Sequence, residues 1–434
     1  MSTTQTSSVL PPTKAWTRLS QWLPSRTSDL DYWWQLTGSH LAKILHAADY
    51  SDDEQVDALL FHYHYIVPYL GPSPENKSSI KWRSAIGVDG APFEYSWKWN
   101  TGTGKPDVRY TLEAISPFSG TPLDLLNHQA GIELLHRVAF VVPSIDLTWT
   151  NHFLATLFEQ DRSKYAKAAA DGTHFTTSMM VAAEWLPGGL SMKTYFVPRG
   201  LGKSDGSVSV AQWEESIAQL IPTCPARVAL HEFLSTNAEG KLLQPGMLAV
   251  DNVLPEKSRL KLYVQTPHTS FTSVREIMTL GGRIPVSESQ LEDLRTLLLA
   301  VSGLAPNFPA EEEIPCCKEY SDKDVIQDPR ILLSGYVYYF DLAPGPAVPQ
   351  IKLYNPVRRY GPDDRTLAEG LTKWMASHGR GEYCERHLSV LEDLAQNRRL
   401  EDGKGRQVYV SCAFMKSGEL DVTSYLGLEP FKED

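Results

Sequence analysis

The 434-residue sequence predicts an α/β fold carried by one continuous domain. Two observations lead there. Helix-period and strand-period segments alternate along the whole chain. No linker, low-complexity tract or charge block interrupts the stretch between residues 30 and 430, so a single large domain is the economical reading.

The chain opens with MSTTQTSSVLPPTKAW, which is polar and lacks an apolar signal core, so residues 1–25 are expected to be a flexible tail and 26–434 the folded domain. DLDYWWQLTGSHLAKILHAA carries apolar residues at helical spacing. Ser51 and Glu54 then form a capping-box pattern that predicts a helix start before VDALLFHYHYIVPYL. Pro68 and the GPSP run end that helix. TPLDLLNHQAGIELLHRV predicts a third helix, and SESQLEDLRTLLLAVS, DDRTLAEGLTKWMASHG and EYCERHLSVLEDLAQN predict later ones. Between them, PFEYSWKWN, DVRYTLEAI, LSMKTYFVP, SRLKLYVQ, PQIKLYNP and RQVYVSCAFM read as strands, alternating in residue type and rich in aromatic and β-branched side chains.

Composition narrows the function. Lys+Arg 41 against Asp+Glu 52 gives a net charge of −11, which argues against a nucleic-acid partner. No apolar run reaches the roughly 20 residues of a membrane span. The five cysteines (Cys224, Cys316, Cys317, Cys384, Cys412) show neither zinc spacing nor a disulfide framework, which fits a reducing cytoplasm.

Three strands repeat one motif: Lys193-Thr194-Tyr195, Arg259-Leu260-Lys261-Leu262-Tyr263 and Lys352-Leu353-Tyr354. Residues i and i+2 of a strand share a face, so each motif presents cation and phenol together. Arg109, in VRYTLE, offers a further strand cation. On one strand this is the ordinary solvated face of an antiparallel sheet. Its repetition suggests faces converging on one lumen, where cations are costly unless an anion meets them. A diphosphate meets that need, and phenol faces suit the allylic cation left when the diphosphate departs.

These segments resemble the fungal dimethylallyltryptophan-synthase-type aromatic prenyltransferases. The resemblance runs from about Asp31 to Tyr425, through DYWWQLTG, YIVPYLGP, KWRSAIGVDGAPFEYSWKWN, VRYTLEAISP, MKTYFVP, SRLKLYV, REIMTLGGR, KLYNP and VYVSCAF in that order. It implies an ABBA-type barrel of about ten antiparallel strands ringed by helices, with the active site in the lumen. It implies that Arg109, Lys193, Arg259, Lys261 and Lys352 bind the diphosphate of dimethylallyl diphosphate. Tyr195, Tyr263, Tyr354 and Tyr409 would shield the dimethylallyl cation, with Tyr425 a looser match and Phe414 at a further shield position. Glu94 matches the carboxylate that accepts a hydrogen bond from an indole N–H, and no metal is required for the chemical step. A homodimer is plausible by analogy.

Two departures concern the acceptor pocket, which the resemblance places around Ala85, Ile86, Met180 and Gly246. Relatives that take free tryptophan have a Lys at the position of Met180 and an Arg near Gly246. The expected acceptor is therefore a tryptophan-containing cyclic dipeptide or an indole alkaloid, with a phenolic or polyketide-derived ring as the alternative. Asp52 and Asp53 loosely match aspartate-rich Mg²⁺ motifs but read better as first-turn helix residues. His62 and His64 face different sides of one helix, and GLGKSDGS lacks the spacing of a phosphate loop.

Overall fold

The structure, a computed structural model, describes residues 12–87, 89–102, 104–173, 175–186, 189–198, 201, 208–222, 224–316, 335–395 and 398–430. Cys317 and most of the GLGKSDGS run lie outside the described residues.

Ten strands among the described residues follow one another around a closed antiparallel barrel. They are β1 (Phe93–Lys98), β2 (Asp107–Leu112), β3 (Met179–Leu186), β4 (Gly189–Phe196), β5 (Gln244–Asp251), β6 (Leu260–Thr266), β7 (Tyr336–Leu342), β8 (Gln350–Asn355), β9 (Gln407–Phe414) and β10 (Leu420–Gly427). Each strand pairs with its neighbours in sequence, and β10 closes the ring on β1 through the pairs Glu94↔Gly427 to Lys98↔Thr423. Closure leaves no unpaired edge.

Strand alternation divides the barrel chemically. Phe93, Tyr95 and Trp97 of β1 and Tyr336, Tyr338 and Phe340 of β7 point outward and are fully buried beneath the helices. Burying a ring such as Phe93 contributes roughly 3 kcal/mol. The Tyr95 hydroxyl, which would be costly to bury unpaired, donates to the Thr37 carbonyl at 2.8 Å. The residues between these, Glu94 and Lys98 among them, turn to the lumen.

The helices follow local rules read from sequence. The helix Asp52–Phe61 starts on a complete capping box, with Glu54 N–H on Ser51 Oγ at 3.2 Å and Ser51 N–H on Glu54 Oε2 at 2.8 Å. Asp52 and Asp53 fill its first turn, exposed, as helix-end residues. The predicted helix over 29–48 runs as Ser28–Trp33, a wider π-turn at Trp34–Gly38, and Ser39–Ala47. The helix expected from Thr121 begins only at Gln129. Asn127 takes φ +55°, and the Asp124 carboxylate accepts from the N–H groups of His128 and Gln129, so turn geometry displaces the first helical turns. Within the stretch expected as a tail, Lys14–Trp22 is a helix capped by Thr13, with Ala15 and Leu19 buried and Trp16 packed 4.8 Å from the Trp34 ring. Residues 1–11 lie outside the described residues. No helix among the described residues is long and apolar enough to cross a membrane.

Candidate active site

The even-numbered strands of an antiparallel barrel all run the same way. On β4, β6 and β8 the register steps the Lys-x-Tyr motif by two residues at a time, Lys261 lying across Ala249 from Tyr195 and Lys352 across Tyr339 from Tyr263. This is the stagger of tilted barrel strands, and it gathers the lysines together, with the tyrosines about 7 Å further along each strand. The result is a charged ring above an aromatic belt, both facing the lumen.

The ring carries its own counter-charges. Cross-strand register sets Arg109 opposite Glu184, Lys193 opposite Asp251, and Lys261 opposite Asp341. Arg109 Nε lies 2.6 Å from Glu184, and Lys193 Nζ is 2.6 Å from the other oxygen of the same carboxylate. Lys261 and Arg259 share Asp251 at 2.7 and 2.9 Å, and Arg259 reaches Asp341 at 3.2 Å. Lys352 stands 3.5 Å from Asp421 and donates to Thr423 Oγ1 at 3.2 Å. Lys261 and Lys352 are buried, whereas the Arg259 side chain is 45% exposed at the rim. Burial, with Arg109 alongside, pulls Lys193 down to about 8 despite its carboxylate partners. Burial also works against the Arg109 charge, but Glu184 and its neighbours hold that guanidinium above its ordinary value.

The belt is continuous. Tyr263 stands 6.1 Å from Tyr195 and 5.7 Å from Tyr354, centroid to centroid, and Tyr354 stands 5.7 Å from Tyr425 and 6.3 Å from Tyr409. Tyr425 donates to the Tyr354 hydroxyl at 3.4 Å. Burial raises every one of these phenols, Tyr409 to about 12, so they stay neutral. Tyr339, on a strand the sequence reading missed, also joins the belt, 5.4 Å from Tyr263 and 6.0 Å from Tyr354.

Beneath the belt lies a cavity of about 680 Å³, counting its mouth. Ala85, Ile86, Met180 and Met247 line it, with Glu94, Tyr195, Tyr263, Tyr354, Tyr409, Tyr425 and, unanticipated, Arg358. Glu94 is pushed up to about 8 by its burial, against the pull of the Arg358 charge.

Two expected positions are corrected. Gly246 does not line the cavity. The β5–β6 register slips between Pro245 and Met247, leaving Gly246 in a bulge, and Met247 takes the inward place. Phe414 does not join the belt. Tyr409 points inward and the register from Tyr409 to Phe414 is regular, so Phe414 falls on the outer face and packs against the helical core.

His62 is buried and hydrogen-bonded to Thr37 at 2.7 Å, while His64 is exposed, which agrees with their facing different sides. Among the described residues no group of His, Cys, Asp and Glu is arranged to hold a metal ion.

Comparison with known proteins places this architecture. Residues 29–390 match the family model described as tryptophan dimethylallyltransferase. The chain is 63% identical to prenyltransferase anuH of Penicillium roqueforti, over 97% of this chain and 94% of that one. It is 48% identical to xanthone prenyltransferase B of Emericella nidulans, over 96% and 92%. The crystal structure of AnaPT from Neosartorya fischeri shares the fold with a TM-score of 0.79 at 24% identity, covering 97% of this chain and 99% of that one. By sequence over most of its length and by its closed ten-stranded barrel, the chain belongs to the tryptophan dimethylallyltransferase family and is an aromatic prenyltransferase.

Proposed function

We propose that the enzyme transfers the dimethylallyl group of dimethylallyl diphosphate, without a metal ion, to a carbon of an oxygen-substituted aromatic ring. The observation that carries this reading is the layering of the lumen: cations, then phenols, then a cavity ending on Glu94.

In this reading Arg109, Lys193, Arg259, Lys261 and Lys352 bind the diphosphate. When the allylic C–O bond breaks, the electron pair leaves with the diphosphate, and these charge-assisted contacts stabilise the growing charge. Five side-chain cations supply the neutralisation a divalent metal would give. Tyr195, Tyr263, Tyr354, Tyr409 and Tyr425 surround the carbocation with ring faces and keep water from it. The acceptor ring occupies the cavity against Ala85, Ile86 and Met180. Glu94 accepts a hydrogen bond from an acidic X–H of that ring, raising its electron density at carbon. A ring carbon bonds to the dimethylallyl carbon, and loss of the proton from that carbon restores aromaticity.

Of the two acceptor classes the sequence left open, the relative named for xanthone supports the oxygenated ring over the indole. A xanthone core has no N–H, and a ring hydroxyl gives Glu94 the same donor. The decisive experiment incubates the enzyme with dimethylallyl diphosphate and a panel of hydroxylated rings and indoles, including a tryptophan-containing cyclic dipeptide, with and without chelator. Prenylated hydroxylated rings, formed equally in chelator, are expected. Turnover confined to indoles overturns the acceptor, and strict dependence on added Mg²⁺ overturns the metal-free step.

A further inference from the structure

Arg358 lines the cavity but takes no part in the proposed donor chemistry. It belongs to the short helix Val357–Tyr360 that follows β8. Along that strand Lys352 comes first, then Tyr354, then Arg358, so the belt separates Arg358 from the charged ring. Its side chain is nine-tenths buried or more, at 4% exposure, and lines the same cavity as Glu94. Its guanidinium carbon lies 5.8 Å from the centre of the Tyr409 ring.

Every cation of the ring above has a carboxylate in contact. Arg358 has none: among the described residues it forms no ion pair, and its buried Nε has no hydrogen-bond partner. An unpaired buried guanidinium is expensive, and such groups persist where a ligand completes them. The donor's diphosphate belongs on the far side of the belt. The completing group must therefore come with the acceptor.

We propose that Arg358 is an acceptor-specificity residue that binds an anionic or carbonyl oxygen carried by the aromatic ring, holding that ring between itself and Glu94. This rests on reading the cavity as the acceptor pocket of a prenyltransferase. A phenolic hydroxyl suits the pair because it donates to Glu94 while accepting from Arg358. An indole N–H donates only, and leaves the guanidinium unpaired. The planar fork also fits a ring hydroxyl beside a carbonyl, or an aryl carboxylate, through two parallel hydrogen bonds.

The test compares the wild type with Arg358→Met and Arg358→Lys on a hydroxylated aromatic acceptor and on an indole of similar size, which keeps a donor for Glu94 but offers Arg358 no oxygen, at saturating dimethylallyl diphosphate. For the hydroxylated ring, Arg358→Met is expected to lower kcat/KM by roughly 10- to 100-fold, mostly through KM. The preference for the hydroxylated ring over the indole collapses, Arg358→Lys recovers part of it, and the KM for the donor moves less than twofold. Equal losses on both acceptors would mean that Arg358 only packs the wall, and no loss would mean that it touches no acceptor; either result overturns the proposal. Binding of 4-nitrophenol, followed by its absorbance, gives a readout free of turnover. The wild type is expected to favour the bound anion, and Arg358→Met to abolish that preference. A wild type that binds the phenolate through Arg358 but prenylates no ring would instead defeat the prenyl-transfer reading of the cavity, leaving the two failures distinguishable.

Discussion

Replacing Lys261 by Met tests the proposed donor site most sharply, because the structure shows which carboxylate it leaves behind and what still holds that carboxylate. Lys261 Nζ is 2.7 Å from Asp251, and its side chain is 8% exposed, so its contacts are little screened by water. Breaking a buried ion pair costs about 3–5 kcal/mol when the remaining charge is stranded. Asp251 is not stranded, because Arg259 still holds it at 2.9 Å. The folding cost therefore falls to about 1–2 kcal/mol, at or below the low end for one hydrogen bond to a charged group. Donor chemistry suffers more. A charge-assisted contact to the diphosphate is worth about 1.5–3 kcal/mol, so kcat/KM for dimethylallyl diphosphate should fall roughly 10- to 150-fold. Charge grows on the leaving group as the C–O bond breaks, so part of the fall should appear in kcat. Steady-state kinetics at saturating acceptor and titration with inorganic diphosphate measure the two sides, with circular dichroism confirming the fold. A folded variant whose donor kcat/KM stays within threefold of the wild type would refute the assignment of the ring to diphosphate.

The remaining predictions concern the belt, the acid and the frame. Tyr354→Ala removes the ring at the centre of the belt. The share of donor consumed that ends as the five-carbon alcohol should rise severalfold, as losing one cation–π partner at about 1–2 kcal/mol implies; an unchanged product ratio counts against the shield. Glu94, with a folded-state value of about 8, holds a proton that the unfolded chain has already released between the ordinary carboxyl range and that value. Stability therefore falls as pH rises across that window, and Glu94→Gln, which has no proton to lose, should gain in melting temperature relative to the wild type from pH 5 to pH 9. A constant offset across that range contradicts the raised value. Asp364 accepts from Arg398 and from the backbone N–H groups of Arg406 and Gln407, and both arginines also contact Glu429. Asp364→Ala should cost about 3 kcal/mol in urea unfolding, and a loss below 1 kcal/mol would show that Glu429 alone carries the network.

Three of the four strands the sequence reading missed, β3, β5 and β7, lack the signal that marks the six it found. β1, β2, β4, β6, β8 and β9 keep an alternation of residue types that betrays them. β3 is buried over Met179–Glu184, and β7 carries aromatic rings on both faces, so neither alternates. A strand packed against helices outside and a site inside loses its period-two signature. β5 begins Gln-Pro-Gly, which signals a turn, and its inward residues run Met247, Ala249 and Asp251, which leaves Gly246 off that face. The cations and phenols were legible because the same spacing recurs on three strands. The carboxylates Glu184, Asp251 and Asp341 were not, because they become partners only through cross-strand register, which one sequence does not fix. Arg358 lies in a helix just past the end of a strand, where no periodicity points to a lumen.

The carboxylates that accompany the ring of cations bear on what happens after the reaction. If the ring binds diphosphate as proposed, the entering anion meets lysines and arginines already paired with acids, so entry is gained by exchange and not by filling bare charge. Departure runs the exchange backwards. On the proposed function, Glu184, Asp251 and Asp421 stand 2.6 to 3.5 Å from these cations and can pair with them again as the spent diphosphate leaves. On that reading the paired acids temper the grip on the by-product and favour its release.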